Sequence, residues 1–263
     1  MSTDPTASAA EASTPIIDIA GSIATIRLNR PAAHNRLEPQ DVIAIRDAIE
    51  QINASTRVQV LVITGTGRSF SSGFDLRALS STGERAARVD FEALTDEIEQ
   101  ARPVTIARLN GPVYGGSTDL ALACDFRIGI DTMRMFVPAA KIGLQYYGHG
   151  LRRWVSRVGL GAAKRVFLTG QTIEADEMKR IGYLDECVPA GSLDATVATL
   201  VNALLANAPR AVEGMKRVLN DAALQQYDDE LALNLQSANR ESRDLQEGFR
   251  AMAEKRPPRF TGD

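Results

Sequence analysis

Apolar and polar positions alternate from residue 16 to 28 around Gly21, which predicts a short hairpin. The period then lengthens. Val42, Ile43, Ile45, Ala48, Ile49 and Ile52 recur at helical spacing, so residues 38–52 are read as an amphipathic helix. The mostly apolar run Val58-Gln-Val-Leu-Val-Ile-Thr64 predicts a strand. A charged helix is expected over 83–101, then a strand at 104–109, a helix at 117–123 and a strand at 126–130. Strand and helix in alternation argue for parallel βα units. Beyond residue 162 strand signals nearly vanish. Helices are expected over 162–168, 175–181, 193–205, 209–223 and 231–256, with the polar stretch Gln225-Gln226-Tyr227-Asp228-Asp229 between the last two. Their Ala/Leu stripes suit a core or a subunit interface.

Composition narrows the picture. A chain of 263 residues can bury a sizeable core, and 44% hydrophobic with 24% charged residues is ordinary for a globular protein. A net charge of −3 and a pI near 5.6 give no electrostatic ground for nucleic acid. No run approaches the ~20 apolar residues of a membrane span. Residues 1–14, rich in Ser, Thr and Ala, are read as a flexible tail without signal-peptide character, and a cytoplasmic location is the default. Cys124 and Cys187 read as two reduced core thiols. His34 and His149 have no neighbours at metal-ligand spacing, so no metal is expected.

Two stretches carry candidate chemistry. In Asn110-Gly-Pro-Val-Tyr-Gly-Gly-Ser-Thr-Asp119 a strand ends in a glycine turn and a helix begins with one carboxylate. In Ser69-Phe-Ser-Ser-Gly-Phe-Asp-Leu76 another strand ends in a small-residue turn. Backbone N–H groups exposed at such turns can stabilise an oxygen that gains charge during a reaction. With two histidines in the chain, and no glycine after Ser117 at the nucleophile-elbow spacing, a Ser-His-acid hydrolase is disfavoured. The run Gly148-His-Gly-Leu-Arg-Arg153 fails as a dinucleotide fingerprint at its sixth position.

These two stretches together resemble the crotonase superfamily of enoyl-CoA hydratases and isomerases. The resemblance continues through Leu28-Asn29-Arg30-Pro31, Asn35-Arg36-Leu37, Pro138-Ala-Ala-Lys-Ile-Gly143, Phe167-Leu-Thr-Gly170, Gly182–Val188 and the tail Glu254–Phe260. It implies an α/β fold, a crotonase-like spiral of ββα repeats (residues 15–200) with a C-terminal helical trimerisation region (201–263). It further implies an enzyme that transforms acyl-CoA thioesters through an enolate, with no cofactor beyond the coenzyme A of its substrate. Partners would be copies of itself, in a homotrimer or a dimer of trimers, with neither nucleic acid nor membrane.

Residue by residue, the resemblance places the oxyanion donors at the N–H groups of Phe74 and Gly116 and the hydratase glutamate at Asp119. The second carboxylate position falls on Ala139, which cannot transfer a proton. Tyr146, Tyr147 and His149, in a loop that is Pro/Gly-rich in hydratases, are candidates to supply the missing donor. Coenzyme A would be met by Arg30, Arg36, Gly73, Asp75 and Leu76, and by Phe249 and Lys255 of the tail. Alternatives within the same fold are isomerisation, thioester hydrolysis, decarboxylation, C–C cleavage and non-catalytic binding of acyl-CoA.

Overall fold

The computed structural model describes residues 14–75, 90–226 and 228–263. The expected tail up to residue 13, Leu76, Tyr227 and the start of the expected 83–101 helix lie outside the described residues.

Strands β1 (Ile16–Ala20) and β2 (Ile23–Leu28) form the expected hairpin, with Ala20 opposite Ile23. Its tight turn uses Gly21 at φ +63°, a conformation glycine adopts without steric cost. Helix α1 (Pro39–Ala54) starts with proline in its first turn, and the Asp41 carboxylate accepts the Glu38 N–H at 2.9 Å. Strands β3 (Val60–Gly65), β4 (Val104–Leu109), β6 (Phe126–Ile130) and β9 (Glu186–Val188) then join β2 in parallel. The sheet order is β1-β2-β3-β4-β6-β9.

Strand β3 is buried along its whole length. Leu61 and Ile63 enter the larger core with α1 and with helix α2 (Phe91–Glu99). Val60 and Val62 turn to the other face, under α7 (Leu193–Leu205), where they meet Leu193, Val197 and Val201. Burial on both faces explains why this run lacks polar alternation. Each such side chain contributes roughly 1.5–3 kcal/mol.

A second layer repeats the first. Leu37 bridges Phe74 and Ser71 bridges Val113, both in parallel. Strand β5 (Val113–Tyr114) pairs in parallel with β7 (Arg134–Phe136), and β7 pairs antiparallel with β8 (Ile173–Glu174). Each turn of the chain thus lies on the turn before it, which brings the loop at Gly73 against the loop at Gly115. The fit is close: a methyl group on Gly111 would lie 2.1 Å from the Arg68 carbonyl oxygen. Gly111→Ala is expected to lower stability by about 1–3 kcal/mol through overpacking, read from the urea midpoint.

Helix α3 (Gly116–Ala123) runs through the core, and its residues from Ser117 to Ala123 are all buried. Helices α4 (Gly148–Val158), α5 (Leu160–Thr169) and α6 (Ala175–Arg180) precede α7, followed by α8 (Pro209–Ala223), α9 (Asp229–Arg240) and α10 (Arg243–Glu254). The single helix expected over 231–256 is therefore two. Ser242 is extended, and its hydroxyl accepts the Leu245 N–H at 3.1 Å, so it caps a new helix rather than continuing the old one. The expected division at residue 200 falls inside α7. Among the described residues no helix is long and apolar enough to cross a membrane.

Glu247 ties α10 to the tail. It receives two bonds from Arg256, at 2.6 and 3.0 Å, and the Arg259 N–H at 2.9 Å. The Arg256 bonds hold its pKa down at about 2, against an ordinary 4.5. A depressed carboxylate pKa gives stability that is present above the ordinary value and lost as pH falls toward the folded one. The protection factor of the Arg259 amide, its exchange rate set against the intrinsic rate at each pH, is expected to fall as pH drops from 4.5 toward 2.

Candidate active site

Where the two loops meet, they are built from buried polar links. The Ser71 hydroxyl donates to the Asn35 carbonyl at 2.7 Å and receives the Ser117 hydroxyl at 2.5 Å and the Gly73 N–H at 3.2 Å. Asn35, 1% exposed, spans Thr66 O and Ser69 O with its amide at 2.9 and 2.8 Å. Gly73 has φ +95°, and a methyl there would sit 2.9 Å from Tyr114 O and 3.2 Å from the Gly116 nitrogen. Only glycine permits that approach.

Two backbone donors are left over. Leu37 N–H bonds Gly73 O and Asp75 N–H bonds Leu37 O, so this pairing uses neither polar group of Phe74. Gly116 opens α3, where the first N–H groups have no partner within the helix. Among the described residues neither the Phe74 nor the Gly116 N–H has an acceptor. Both residues line a cavity of about 410 Å³ that also takes in Phe91, Ala139 and Tyr147. Such a volume suits a small-molecule site.

Asp119 is wholly buried and does not line this cavity. It reaches the cavity through Tyr147, whose hydroxyl donates to Asp119 Oδ2 at 2.6 Å. The same oxygen receives Arg153 Nη1 at 2.5 Å, while Oδ1 has no hydrogen-bond partner among the described residues. Arg153 is itself fully buried on α4. It also meets Asp96 at 2.7 Å and Glu99 at 3.0 Å, both on α2. Arg157, one turn later, adds a bond to Glu99 at 3.1 Å. Three helices are thus joined by a buried charge network whose one contact with the cavity, among the described residues, is Tyr147.

Burial sets the proton affinities. Desolvation pushes the Asp119 carboxyl above its ordinary value, against the pull of Arg153 and of the Tyr147 hydroxyl. Burial, then Tyr146 and Asp119, push Tyr147 well above 10, so its hydroxyl is protonated at neutral pH. Burial disfavours the Arg153 charge, but Asp119 and Glu99 outweigh it and keep the guanidinium charged.

The structure brings together Phe74, Gly116, Gly73 and Tyr147 at the cavity, with Asp119 behind Tyr147. His149 is elsewhere: it is half exposed, with Nδ1 at 2.5 Å from Asp96 Oδ2. Tyr146 lines the cavity and stacks on Tyr147, the ring centroids 4.5 Å apart. Ala139 is buried in the wall. Arg30 is clamped by Asp41 at 2.7 and 3.1 Å, and Arg36 sits between Glu38 at 3.1 Å and Asp75 at 3.7 Å. Phe249 is exposed on α10 and Lys255 caps that helix at φ +51°, both outside the cavity wall. Sequence reasoning passed over Arg153. Its signal was an arginine sharing a helical face with Gly150 and Trp154, a face that needs buried carboxylates.

Known proteins resemble this chain over most of its length. The enoyl-CoA hydratase/isomerase family model matches residues 18–263. A crotonyl-CoA hydratase of Syntrophomonas wolfei is 30% identical over 252 residues, covering 93% of this chain and 96% of that one. A short-chain-enoyl-CoA hydratase of Clostridium acetobutylicum is 29% identical over 248 residues, covering 92% and 95%. Among solved structures, an enoyl-CoA hydratase/carnithine racemase from Magnetospirillum magneticum superposes with a TM-score of 0.88 at 27% identity, over 95% of this chain and 96% of that one. With the mixed α/β architecture and the C-terminal helices, these likenesses give the spiral its relatives: the chain belongs to the enoyl-CoA hydratase/isomerase family of the crotonase superfamily.

Proposed function

We propose that this enzyme moves a proton on an acyl-CoA thioester by way of an enolate, shifting a double bond between the 3- and 2-positions of the acyl group. The observation that carries the reading is one cavity with two unpaired N–H donors and a tyrosine hydroxyl bonded to a buried carboxylate, the Tyr147–Asp119 pair. The thioester oxygen sits between the N–H groups of Phe74 and Gly116. Negative charge grows on it as the α-carbon loses its proton, and one such donor is typically worth about 2.7–4 kcal/mol of barrier. The Tyr147 oxygen takes the α-proton while its own proton passes to Asp119 Oδ2. While the enolate is held, the proton on Tyr147, which lines the cavity, exchanges with water, and the reverse transfer delivers a solvent-derived proton to the γ-carbon. Coenzyme A is carried by the substrate, and no further cofactor enters.

Hydration is the second reading, favoured by the hydratase names of the relatives. Ala139 weighs against it: adding water across a double bond commonly uses two proton-handling groups, and a methyl stands at the second position. Crotonyl-CoA in D2O, followed by mass spectrometry, separates the two. Deuterium uptake into the acyl chain without added water supports proton transfer. A product heavier by one D2O supports hydration and overturns the first reading.

We also carry forward the homotrimer or its dimer. Met215, Leu219, Leu233 and Met252 of the C-terminal helices are exposed in the single chain, which supports it. Light scattering tests this.

A further inference from the structure

Six of the chain's fourteen aromatic residues line the cavity at the two N–H donors: Phe74, Phe91, Tyr114, Phe136, Tyr146 and Tyr147. No charged side chain does so among the described residues. Among the described residues Val137 is the one buried branched aliphatic side chain in the wall; Ile142 and Leu144 also line it, but are exposed. We propose, on the thioester reading given above, that the acyl group carries an uncharged aryl ring rather than a short alkyl chain or a terminal carboxylate.

The rings are placed to receive one. Phe74 and Phe91 lie 5.6 Å apart and tilted by 35°, and Phe91 meets Tyr147 edge-on at 6.2 Å and 73°. Tyr114 and Phe136 form a second tilted pair at 4.7 Å. The wall rings thus already meet in the tilted and edge-on geometries in which aromatic rings attract beyond simple burial, and an aryl ring entering the cavity can join them in the same way. Three of these six rings are held by close neighbours. A methyl on Gly116 would meet the Phe91 ring at 2.8 Å, Tyr146 packs on Phe167 at 4.7 Å, and the Tyr114 hydroxyl accepts from Arg134 at 3.1 Å. A preformed wall loses little freedom on binding. A short alkyl chain would leave part of this wall without partner atoms, and a void forfeits those contacts. A terminal carboxylate would meet no cation among the described residues of the wall, at a large desolvation cost.

Binding of non-reacting thioesters tests this separately from turnover. Phenylacetyl-CoA, butyryl-CoA, glutaryl-CoA and free coenzyme A are titrated calorimetrically into the full chain. The expected result is phenylacetyl-CoA at least about tenfold tighter than butyryl-CoA, a difference of about 1.4 kcal/mol, with glutaryl-CoA the weakest ester. Phe74→Leu and Phe136→Leu are each expected to bring the phenylacetyl-to-butyryl ratio toward one. Should either variant fail to fold by circular dichroism, the wild-type ratio decides. Butyryl-CoA binding as tightly as phenylacetyl-CoA, or a ratio unmoved in both folded variants, would overturn the aryl assignment and leave the thioester site standing. Failure of every ester to bind would overturn the thioester reading itself, and the aryl assignment with it.

Discussion

Tyr147→Phe is expected to lower turnover of the CoA thioester by roughly 10²–10⁴-fold, the usual contribution of a positioned acid/base group. Thioester binding is expected to persist, because the phenyl ring stays in the wall and the two N–H donors are untouched. The loss is therefore in kcat. Asp119→Asn is expected to cost a similar factor by removing the acceptor of the Tyr147 proton. The double variant is expected to cost little more than either single change, since the two residues act as one unit. The pH profile adds a signed test. Burial raises the Asp119 carboxyl, and the Tyr147 hydroxyl bond is one of the interactions that lower it. Activity is expected to rise with pH as Asp119 loses its proton. In Tyr147→Phe the residual activity is expected to show that limb displaced upward.

Arg153→Leu carries the largest expected loss of stability, about 3–5 kcal/mol, the range for removing one partner of a buried ion pair. Leucine leaves Asp119 and Glu99 buried with their principal cation gone and frees Asp96 of its 2.7 Å partner. Arg157 still meets Glu99 but makes no bond to Asp119. The sign with pH follows from linkage. Arg153 is the main interaction that lowers the buried Asp119 carboxyl, so without it Asp119 takes up a proton more readily in the folded state than in the unfolded one. Its folded pKa is then raised further, so stability is retained at acid pH and lost as pH rises through the carboxylate range. Urea titrations at acid and neutral pH check this: the gap from wild type is expected to narrow in acid. A uniform loss at both pH values would deny the uncompensated-charge account.

Local pattern carried much of the fold. Strands at 104–109 and 126–130 and helices at 193–205 and 209–223 are found at the boundaries that periodicity assigned. Their apolar content is dense and their ends are marked by turn residues. The break at Ser242 was hidden because helical spacing continues across it; one hydroxyl cap decides it. The two turn loops were also legible, since Gly73 and Gly115–Gly116 advertise a close approach. What sequence could not supply is what depends on contact between distant segments. Asp119 was read as the acting carboxylate, but whether it faces the cavity or stands behind Tyr147 depends on Arg153, which pulls it into the network joining α2, α3 and α4. Likewise Phe91 and Phe136, far apart in the chain, become parts of one wall only after the repeats stack.

The central claim is that Tyr147, backed by Asp119, moves the proton of an enolate held between two backbone N–H groups. The most direct measurement is the rate of solvent deuterium entering the acyl chain of a 3-enoyl-CoA in D2O, for wild type, Tyr147→Phe and Asp119→Asn. The account expects a deuterated 2-enoyl product from wild type. It expects that rate to fall roughly 10²-fold or more in both variants while thioester binding is retained. Deuterium entering at an undiminished rate in both variants, or addition of D2O in place of the double-bond shift, would contradict it.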